Sequence, residues 1–251
     1  MKLFLSLIFI FISLSYAKSS DTLTIAAASD LSFAMKELIS DFKTTSPNAD
    51  ITLISGSSGK FYHQLMNGAP YDMYFSADIA YPEKLLKSGH AVGEVSLYAI
   101  GRIVLWSSKV DVKKSTINSL LNDNINKISI ANPKHAPYGA RAKEFLQSNT
   151  LWETLKPKLI YGENISQATN YAVMGVADIG VIALSLAMAP RIADKGTYWL
   201  IPSQQHKPLK QGYAVLKRAE NKPLQKAFSK YLKSDKAIKI LSRYGFVVPS
   251  K

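Results

Sequence analysis

Four places in this sequence repeat one pattern: an apolar run typical of a strand, a short turn with Ser, Gly or Asn, and the start of a helical period. The turns lie at residues 27–30, 56–59, 136–139 and 163–166. Repeated strand-turn-helix units favour an α/β fold with parallel sheets covered by helices. Because the first N–H groups of a helix lack partners and carry the positive end of its dipole, each turn can offer donors to an anion. The pattern predicts a site for one small oxyanion.

The order of the predicted elements divides the chain into two lobes. Two β-rich runs, at 101–107 and 212–216, lie far apart, and a second alternating set of strands and helices separates them. We therefore predict lobe I at residues 18–102 and 207–251, and lobe II at 103–206. Ligands of open α/β sheets bind beyond the carboxyl ends of the strands. Two turns from each lobe would then face a cleft between the lobes, and hinge closure would bury the ligand.

The first residues predict export. Lys2 supplies a basic start, residues 3–14 are apolar, and Ser15-Tyr16-Ala17 are cleavage-site residues, so residues 1–17 are predicted to be a cleaved signal peptide and the protein to be periplasmic. The alternative is a retained anchor or a lipoprotein. An apolar stretch this short is below the roughly 18 residues of a spanning helix, and the sequence has no Cys for lipidation.

Charge and metal-ligating residues exclude several function classes. The formal net charge is +13, but the basic residues are dispersed at spacings typical of solvated helix faces, which argues against nucleic acid as a partner. The absence of Cys removes thiol catalysis and Cys-based metal sites. The four His residues show no metal-ligand spacing. We predict no directly bound metal and no cofactor.

Within the turns, Ser29, Ser58 and Tyr138 are the candidate binding side chains. Each serine offers a hydroxyl and a backbone N–H at a helix start. The alternative is that both serines only cap their helices, which Ser does routinely. Tyr138 lies between Pro137 and Gly139, in a turn that presents its ring, and the alternative is a packed turn aromatic.

Six longer stretches run in order over nearly the whole chain beyond residue 17: AAASDL (26–31), SGSSGK (55–60), GAPYDMYFSAD (68–78), NPKHAPYGARAKEFL (132–146), ADIGV (177–181) and RYGF (243–246). In these stretches the chain resembles the periplasmic molybdate-binding proteins of ABC transporters, the ModA family. The resemblance implies a two-lobed periplasmic binding protein of type II, in which each lobe is a mainly parallel sheet flanked by helices and the ligand lies in the inter-lobe cleft.

The resemblance also implies the ligand contacts. Ser29 and Ser58 match the two serines that give hydroxyl and N–H donors, Tyr138 matches a donor from the turn after Pro137, and Ile165 matches an N–H donor at a helix start. The family often has a Tyr whose hydroxyl reaches the ligand after the strand ending in Gly180-Val181-Ile182. Ala183 stands there in this sequence and is included among the expected ligand-binding residues, although its side chain has no donor. We expect the phenol of Tyr138 to replace that missing donor.

The function implied by the resemblance is transport. The ligand is expected to be a molybdate or tungstate dianion held by neutral donors, and the partners a membrane permease and its cytoplasmic ATPase, with the binding protein a monomer. Fixed N–H dipoles can balance an anion without a counter-ion. Because His, Lys and Arg are missing from the expected contacts, binding is predicted to change little between pH 6 and 8.

Three other functions fit parts of the pattern. The first is a binding protein for another tetrahedral oxyanion, such as a tungstate-specific protein or one for sulfate. The second is a serine acyl-transfer enzyme, because Ser57-Ser58-Gly59-Lys60 contains S-x-x-K, but its companion motifs are absent. The third is a sensor domain of the same architecture. We predict a binding protein and not an enzyme.

Overall fold

Two five-stranded sheets form the framework of the protein, for which a computed structural model describes residues 22–249. The predicted signal peptide, residues 1–17, lies outside the described residues. The strands are β1 Thr22–Ala28, β2 Asp50–Gly56, β3 Met73–Ser76, β4 Ala91–Gly101, β5 Ile103–Ser107, β6 Ile128–Ala131, β7 Leu159–Gly162, β8 Ile179–Ala183, β9 Thr197–Leu200 and β10 Leu209–Leu216.

Helices cover both sheets and follow most of the parallel strands. Within the described residues they are α1 Ser32–Thr45, α2 Ser58–Met66, α3 Ala80–Lys87, α4 Val112–Ser115, α5 Pro137–Ser148, α6 Trp152–Leu155, α7 Ile165–Val173, α8 Leu184–Ala187, α9 Pro223–Tyr231 and α10 Asp235–Arg243. A single 3₁₀ turn, Ser29–Leu31, joins β1 to α1. In this described part of the chain, no helix has the length and apolar character needed to cross a membrane.

Both sheets have the same arrangement. The first has the order β2-β1-β3-β10-β4 and the second β7-β6-β8-β5-β9. In each, the first three strands are parallel and the fourth is antiparallel to both of its neighbours. The predicted fold class, two lobes with mainly parallel sheets flanked by helices, is confirmed.

The chain passes between the sheets twice. It leaves the first sheet at Gly101, the last residue of β4, and enters the second at Ile103, the first residue of β5. It returns through residues 201–208, between β9 and β10. The antiparallel strand of each sheet, β5 or β10, is the strand that arrives directly from the other sheet. The two crossings therefore lie side by side and can act as a hinge.

Strand β4 is the element that the sequence did not reveal. Its burial does not alternate along its eleven residues, and it contains Gly93 with a φ of 69°. The register with β10 shifts after Gln211 and again after Tyr213. These irregularities break the two-residue period from which a strand is recognised. The prediction of one run at 101–107 was wrong at its start, since Gly101 ends β4 and β5 begins at Ile103.

Strand β1 shows why the first sheet is covered on both faces. Leu23, Ile25 and Ala27 are fully buried and pack against α1, α9 and α10. Ala26 points to the opposite face and packs with Phe61 of α2 and its neighbours. A strand buried on both faces has a continuous apolar sequence, and this is the pattern of a central parallel strand.

The last helices of the chain belong to the first sheet. Phe228 of α9 is fully buried and its ring lies edge-on to Phe42 of α1, with the centroids 5.2 Å apart. Tyr231 packs against the same ring of Phe42 at 5.4 Å. These aromatic contacts attach the segment after β10 to the segment before β2.

Replacing the buried ring tests this attachment. Phe228→Ala removes a side chain from a packed core, so we expect the free energy of unfolding in urea to fall by about 3–5 kcal/mol. The matched control is Tyr161→Ala on β7, an aromatic residue that is 43% exposed. It should cost less than about 1 kcal/mol. Equal losses from the two variants would contradict the packing described.

Candidate functional site

The carboxyl ends of β1, β2, β6 and β7 face one another across a small cavity between the two sheets. The centre of a water molecule can occupy about 10 Å³ in this cavity, which is close to the minimum volume that holds one water. Residues from all four sequence turns line it, namely Ala28, Ser29, Asp30, Gly56, Ser57, Ser58, Ala136, Pro137, Tyr138 and Ile165, together with Ala77 after β3. The size fits a ligand of a few atoms and excludes larger organic solutes.

Ser29 lies at the end of β1 and contacts the opposite lobe. Its hydroxyl accepts a hydrogen bond from the Ser166 N–H at 3.2 Å and donates to Asn164 Oδ1 at 3.2 Å. The Ser166 hydroxyl donates to the carbonyl oxygen of Ser29 at 2.9 Å. Ser29 is therefore placed at the N-terminus of α7, although the two segments are far apart in the sequence.

Ser58 is the first residue of α2 and is almost fully buried. Its hydroxyl accepts a hydrogen bond from the Ala77 N–H at 3.1 Å, and its carbonyl oxygen accepts one from the Tyr74 hydroxyl at 2.7 Å. The serine hydroxyl hydrogen is not used in either bond. It can be donated to a ligand in the cavity.

Neither serine is the N-cap of the helix that follows it in the described structure, although the Ser29 hydroxyl accepts from the Ser166 N–H in the first turn of α7. The N-cap positions belong to Ala28 for the 3₁₀ turn, Leu31 for α1 and Ser57 for α2, and none of these side chains bonds to a helix N–H. The capping alternative therefore does not account for Ser29 and Ser58. It also leaves the first N–H groups of α2 without a side-chain partner, facing the end where the cavity lies.

Helix α5 starts against the cavity at Pro137, and it has no side-chain cap either. Gly139 makes this start possible, because a Cβ there would lie 2.1 Å from the carbonyl oxygen of Ala131 in β6. The first turn of the helix can therefore approach the end of the strand. The N–H of Tyr138, which has no partner within the helix by its position, lies in this first turn.

The Tyr138 hydroxyl is used elsewhere, which corrects the expectation that it replaces a missing phenol donor. The side chain is 2% exposed, and its hydroxyl donates to Asp30 Oδ2 at 3.0 Å. It also accepts from Gln211 Nε2 at 3.0 Å. A hydroxyl has a single hydrogen to donate, so what Tyr138 can offer a ligand is its backbone N–H.

Ile165 lies at the cavity, whereas Ala183 lies away from it. Ile165 lines the cavity as the first residue of α7, after Asn164, whose side chain caps the Gln167 N–H at 3.0 Å. Ala183 is fully buried at the end of β8, opposite Ile103 in β5, and is not part of the cavity lining. The expectation of a ligand contact at Ala183 finds no support in this geometry, because the second lobe's core encloses that residue.

The lobes are closed over the cavity. Besides the contacts of Ser29, the Ser57 hydroxyl donates to the His135 carbonyl oxygen at 2.6 Å, and the Gly59 N–H donates to the same oxygen at 2.9 Å. The Ser185 hydroxyl of α8 donates to the Asp30 carbonyl oxygen at 2.8 Å. Each of these bonds joins a residue of the first sheet's half to one of the second, so all of them form only when the cleft closes.

One ion pair crosses the rim of the cleft. Lys60 Nζ lies 2.8 Å from Glu163 Oε1, and both side chains are about half exposed. The Lys60 contact lowers the pKa of Glu163. Partial burial, and then Lys60, lower the pKa of His135 beside it. Exposed pairs of this kind contribute little to stability because water and salt screen them.

Asp30 is the titratable carboxyl group in the cavity lining, and the sequence interpretation did not include it. Burial raises its pKa to about 7, although hydrogen bonds from Gln211 and Tyr138 oppose the shift. The signal was present in the sequence, because Asp30 lies in the first turn beside Ser29. The expectation of little pH dependence considered only the absence of His, Lys and Arg from the contacts and left this carboxyl group out.

Known proteins resemble this chain over nearly its full length. A molybdate-binding protein ModA of Rhodobacter capsulatus is 37% identical over 226 residues, 88% of this chain and 86% of that protein. A putative ABC transporter substrate-binding lipoprotein of Bacillus subtilis is 31% identical over 229 residues, 90% of this chain and 86% of that protein. The solved periplasmic molybdate-binding protein of Azotobacter vinelandii has a TM-score of 0.85 at 31% identity, covering 91% of this chain and 100% of that one.

The family profile of the bacterial extracellular solute-binding proteins matches residues 23–247, from the first strand to the end of the segment that follows α10. The match includes all four turns that line the cavity. The two-lobed fold, the closed cleft and this match agree, and the chain belongs to the family of bacterial extracellular solute-binding proteins.

Proposed function

We propose that this protein captures a tetrahedral oxyanion, molybdate or tungstate, in the cavity between its lobes. One observation carries the proposal: four strand-to-helix turns, two from each lobe, converge on a cavity with room for a few atoms. Helix N-termini and serine hydroxyls are hydrogen-bond donors, and a tetrahedral anion presents acceptors in all directions. The donors would be the Ser58 hydroxyl, whose hydrogen is free, the Ser29 hydroxyl once its hydrogen turns from Asn164 Oδ1 to the ligand, and the N–H groups of these serines, Tyr138 and Ile165.

Neutral donors suffice for a dianion in such a place. Hydrogen bonds to a charged acceptor are shorter and about twice as strong as neutral ones. The partial positive charge at the start of α2, α5 and α7 adds to them. Closure removes water from the same donors, which strengthens each interaction further.

The fate of the ligand follows from the family. Solute-binding relatives are named as molybdate-binding proteins and as a substrate-binding lipoprotein of an ABC transporter. We propose that this protein is exported, loses residues 1–17, binds its ion as a periplasmic monomer and passes it to a membrane permease driven by a cytoplasmic ATPase. Release requires the hinge at Gly101–Ile103 and residues 201–208 to open.

The geometry argues against serine acyl-transfer chemistry. A nucleophilic serine gives its proton to an adjacent base. The Ser57 hydroxyl lies 3.0 Å from His135 Nδ1, but it donates its one hydrogen to the closer His135 carbonyl oxygen at 2.6 Å, and the lysine that S-x-x-K chemistry would use, Lys60, is paired with Glu163 at the rim. The relatives of this chain are transporter binding proteins and not enzymes. In this proposal the serines of the S-x-x-K pattern belong to the anion site.

A panel of anions tests the ligand assignment. Calorimetry on the mature protein at pH 6 should show one molybdate or tungstate per chain, bound far more tightly than sulfate or phosphate. Sulfate has the same charge and shape, so its rejection depends on the fit of the larger ions to donors held at fixed positions. Equal affinity for sulfate would contradict the molybdate assignment and leave a general oxyanion site.

The serine hydroxyls give the second test. Ser29→Ala and Ser58→Ala each remove one hydrogen bond to a charged ligand, so affinity should fall by about 1.5–3 kcal/mol, roughly 10- to 150-fold. Isothermal calorimetry measures this directly. Ser58→Ala should also lower the melting temperature, because it leaves the Ala77 N–H without its partner.

The matched control is Ser107→Ala. Ser107 is equally buried, and its hydroxyl donates to the Asp178 carbonyl oxygen at 2.6 Å at the far end of β5. This variant should lose stability and keep its affinity. If the affinities of the Ser29 and Ser58 variants changed no more than that of Ser107→Ala, the proposed contacts would be wrong.

A further inference from the structure

Asp30 places a buried carboxyl group on the contact between the lobes. The residue is 1% exposed. Its Oδ2 accepts hydrogen bonds from Gln211 Nε2 at 2.7 Å and from the Tyr138 hydroxyl at 3.0 Å. Gln211 comes from the first sheet and Tyr138 from the helix α5 of the other lobe. The carboxyl group is therefore buried and held by both lobes only while the cleft is closed.

The groups that face this carboxyl carry no positive charge. Its side-chain hydrogen-bond donors are an amide and a phenol, and the backbone N–H groups of Asp30 and Leu31 also lower its pKa. The next titratable group is Tyr98 of β4, whose hydroxyl donates to Gln211 Oε1 at 2.6 Å. Helix α8 contributes the Ser185 hydroxyl, and α7 contributes the apolar Ile165 at the cavity. The positive charges of Arg102 and Arg141 lower the pKa of His206, and neither guanidinium is among the causes of the Asp30 shift.

One oxygen of the Asp30 carboxyl group is unpaired. Asp30 Oδ1 is buried and has no hydrogen-bond partner among residues 22–249. Asp30 also lines the cavity in which the anion is proposed to bind. An unpartnered, buried carboxylate oxygen is costly, and a dianion beside it raises that cost, because the two like charges would share a space from which water is excluded.

We propose that closure of the cleft around the anion takes up one proton at Asp30, so that capture is coupled to proton binding. This inference rests on the proposed oxyanion function. The proton is placed on Oδ1, since Oδ2 already accepts two hydrogen bonds. The neutral carboxyl group keeps both of those bonds and no longer repels the ligand.

The hinge lies next to this group. A Cβ on Gly101, at the first crossing between the sheets, would lie 2.4 Å from the Tyr138 hydroxyl and 2.5 Å from Gln211 Nε2. The hydrogen-bonded group of Asp30, Tyr138, Gln211 and Tyr98 is therefore packed directly on the crossing segment. In the proposed coupling, opening about this segment moves Tyr138 of lobe II away from Asp30 and lets water reach the carboxyl group.

The direction of the pH effect follows from the pKa. Burial raises the pKa of Asp30 from 3.8 to about 7 in the closed form, whereas an exposed carboxyl has its ordinary value. Closure therefore binds a proton between these values, is favoured at low pH and loses that advantage as the pH rises through 7. A neighbouring dianion moves the upper limit higher.

Molybdate titrations at several pH values test the coupling. For a closed-form pKa of about 7, the Kd of the unmodified mature protein should rise about tenfold between pH 6 and pH 8. Asp30→Asn, which resembles the neutral acid in shape and cannot ionise, should show a change of less than about twofold and bind at pH 8 at least as tightly as the unmodified protein. Asp41→Asn removes a carboxylate of α1 that pairs with Tyr231 and Lys236, and should keep the tenfold change.

Proton uptake can also be counted. Calorimetric titrations at pH 7 in two buffers of different ionisation enthalpy should show uptake of about half a proton or more per molybdate for the unmodified protein, and none for Asp30→Asn. Tyr138→Phe offers an independent check, because the Tyr138 hydrogen bond lowers the pKa of Asp30. Its loss should move the weakening of binding to higher pH.

The outcomes separate the two proposals. Failure of the unmodified protein to bind molybdate or tungstate at pH 6 contradicts the oxyanion function and, with it, the coupling. Tight binding with a flat pH profile and no proton uptake contradicts the coupling alone. Loss of binding at pH 6 in an Asp30→Asn variant with an unchanged melting temperature also contradicts it, because the amide should replace the neutral acid.

Discussion

Both the closed cleft and the binding of its ligand depend on hydrogen bonds from the unpaired N–H groups at the starts of helices. Each lobe brings such groups to the carboxyl ends of its parallel strands, where no protein acceptor within the same helix can satisfy them. Part of this need is met across the cleft, as when the Ser166 N–H donates to the Ser29 hydroxyl and the Gly59 N–H to the His135 carbonyl. The rest is available to an anion, so closing the lobes and holding the ligand use the same kind of donor.

The sequence predicted the local parts of this arrangement. Ser29, Ser58 and Ile165 line the cavity, as expected from the strand-to-helix turns in which they stand and, for Ile165, from the family resemblance, because a turn is a pattern of neighbours in the chain. Gly139 belongs to the same class, since its role is fixed by the strand seven residues or so before it. The fold class followed from the alternation of strands and helices for the same reason.

Contacts between distant segments could not be predicted in this way. The Tyr138 hydroxyl bonds to Asp30 and Gln211, and these three residues come from three different parts of the chain. Nothing in the local sequence of Tyr138 indicates which partner its hydrogen takes. Strand β4 was missed because its bulges against β10 remove the regular alternation. Ala183 was assigned to the site from the motif before it, but the packing of β8 against β5 buries its side chain in the core of the second lobe.

Two buried aspartates, Asp72 and Asp30, differ in whether positively charged groups surround the carboxylate. Asp72 is as buried as Asp30, and its carboxylate lies 2.9 Å from Lys222 Nζ and 3.2 Å from Arg218 Nε and accepts from the Thr24 N–H. Its negative charge is balanced by fixed cations in every state of the cleft. Asp30 has only neutral donors from both lobes, so its charge depends on the distance between them. The first residue is suited to holding a structure together and the second to responding when it moves.

The strand order also has a consequence for the order in which the protein can fold during synthesis. Strand β10 lies between β3 and β4, so β4 has no neighbour in its own sheet until residues 209–216 have been made. The second sheet, β5 to β9, comes from one continuous stretch of chain and can be completed earlier. During synthesis the second sheet can thus form first. The first sheet stays incomplete, with β4 unpaired, until β10 has been made.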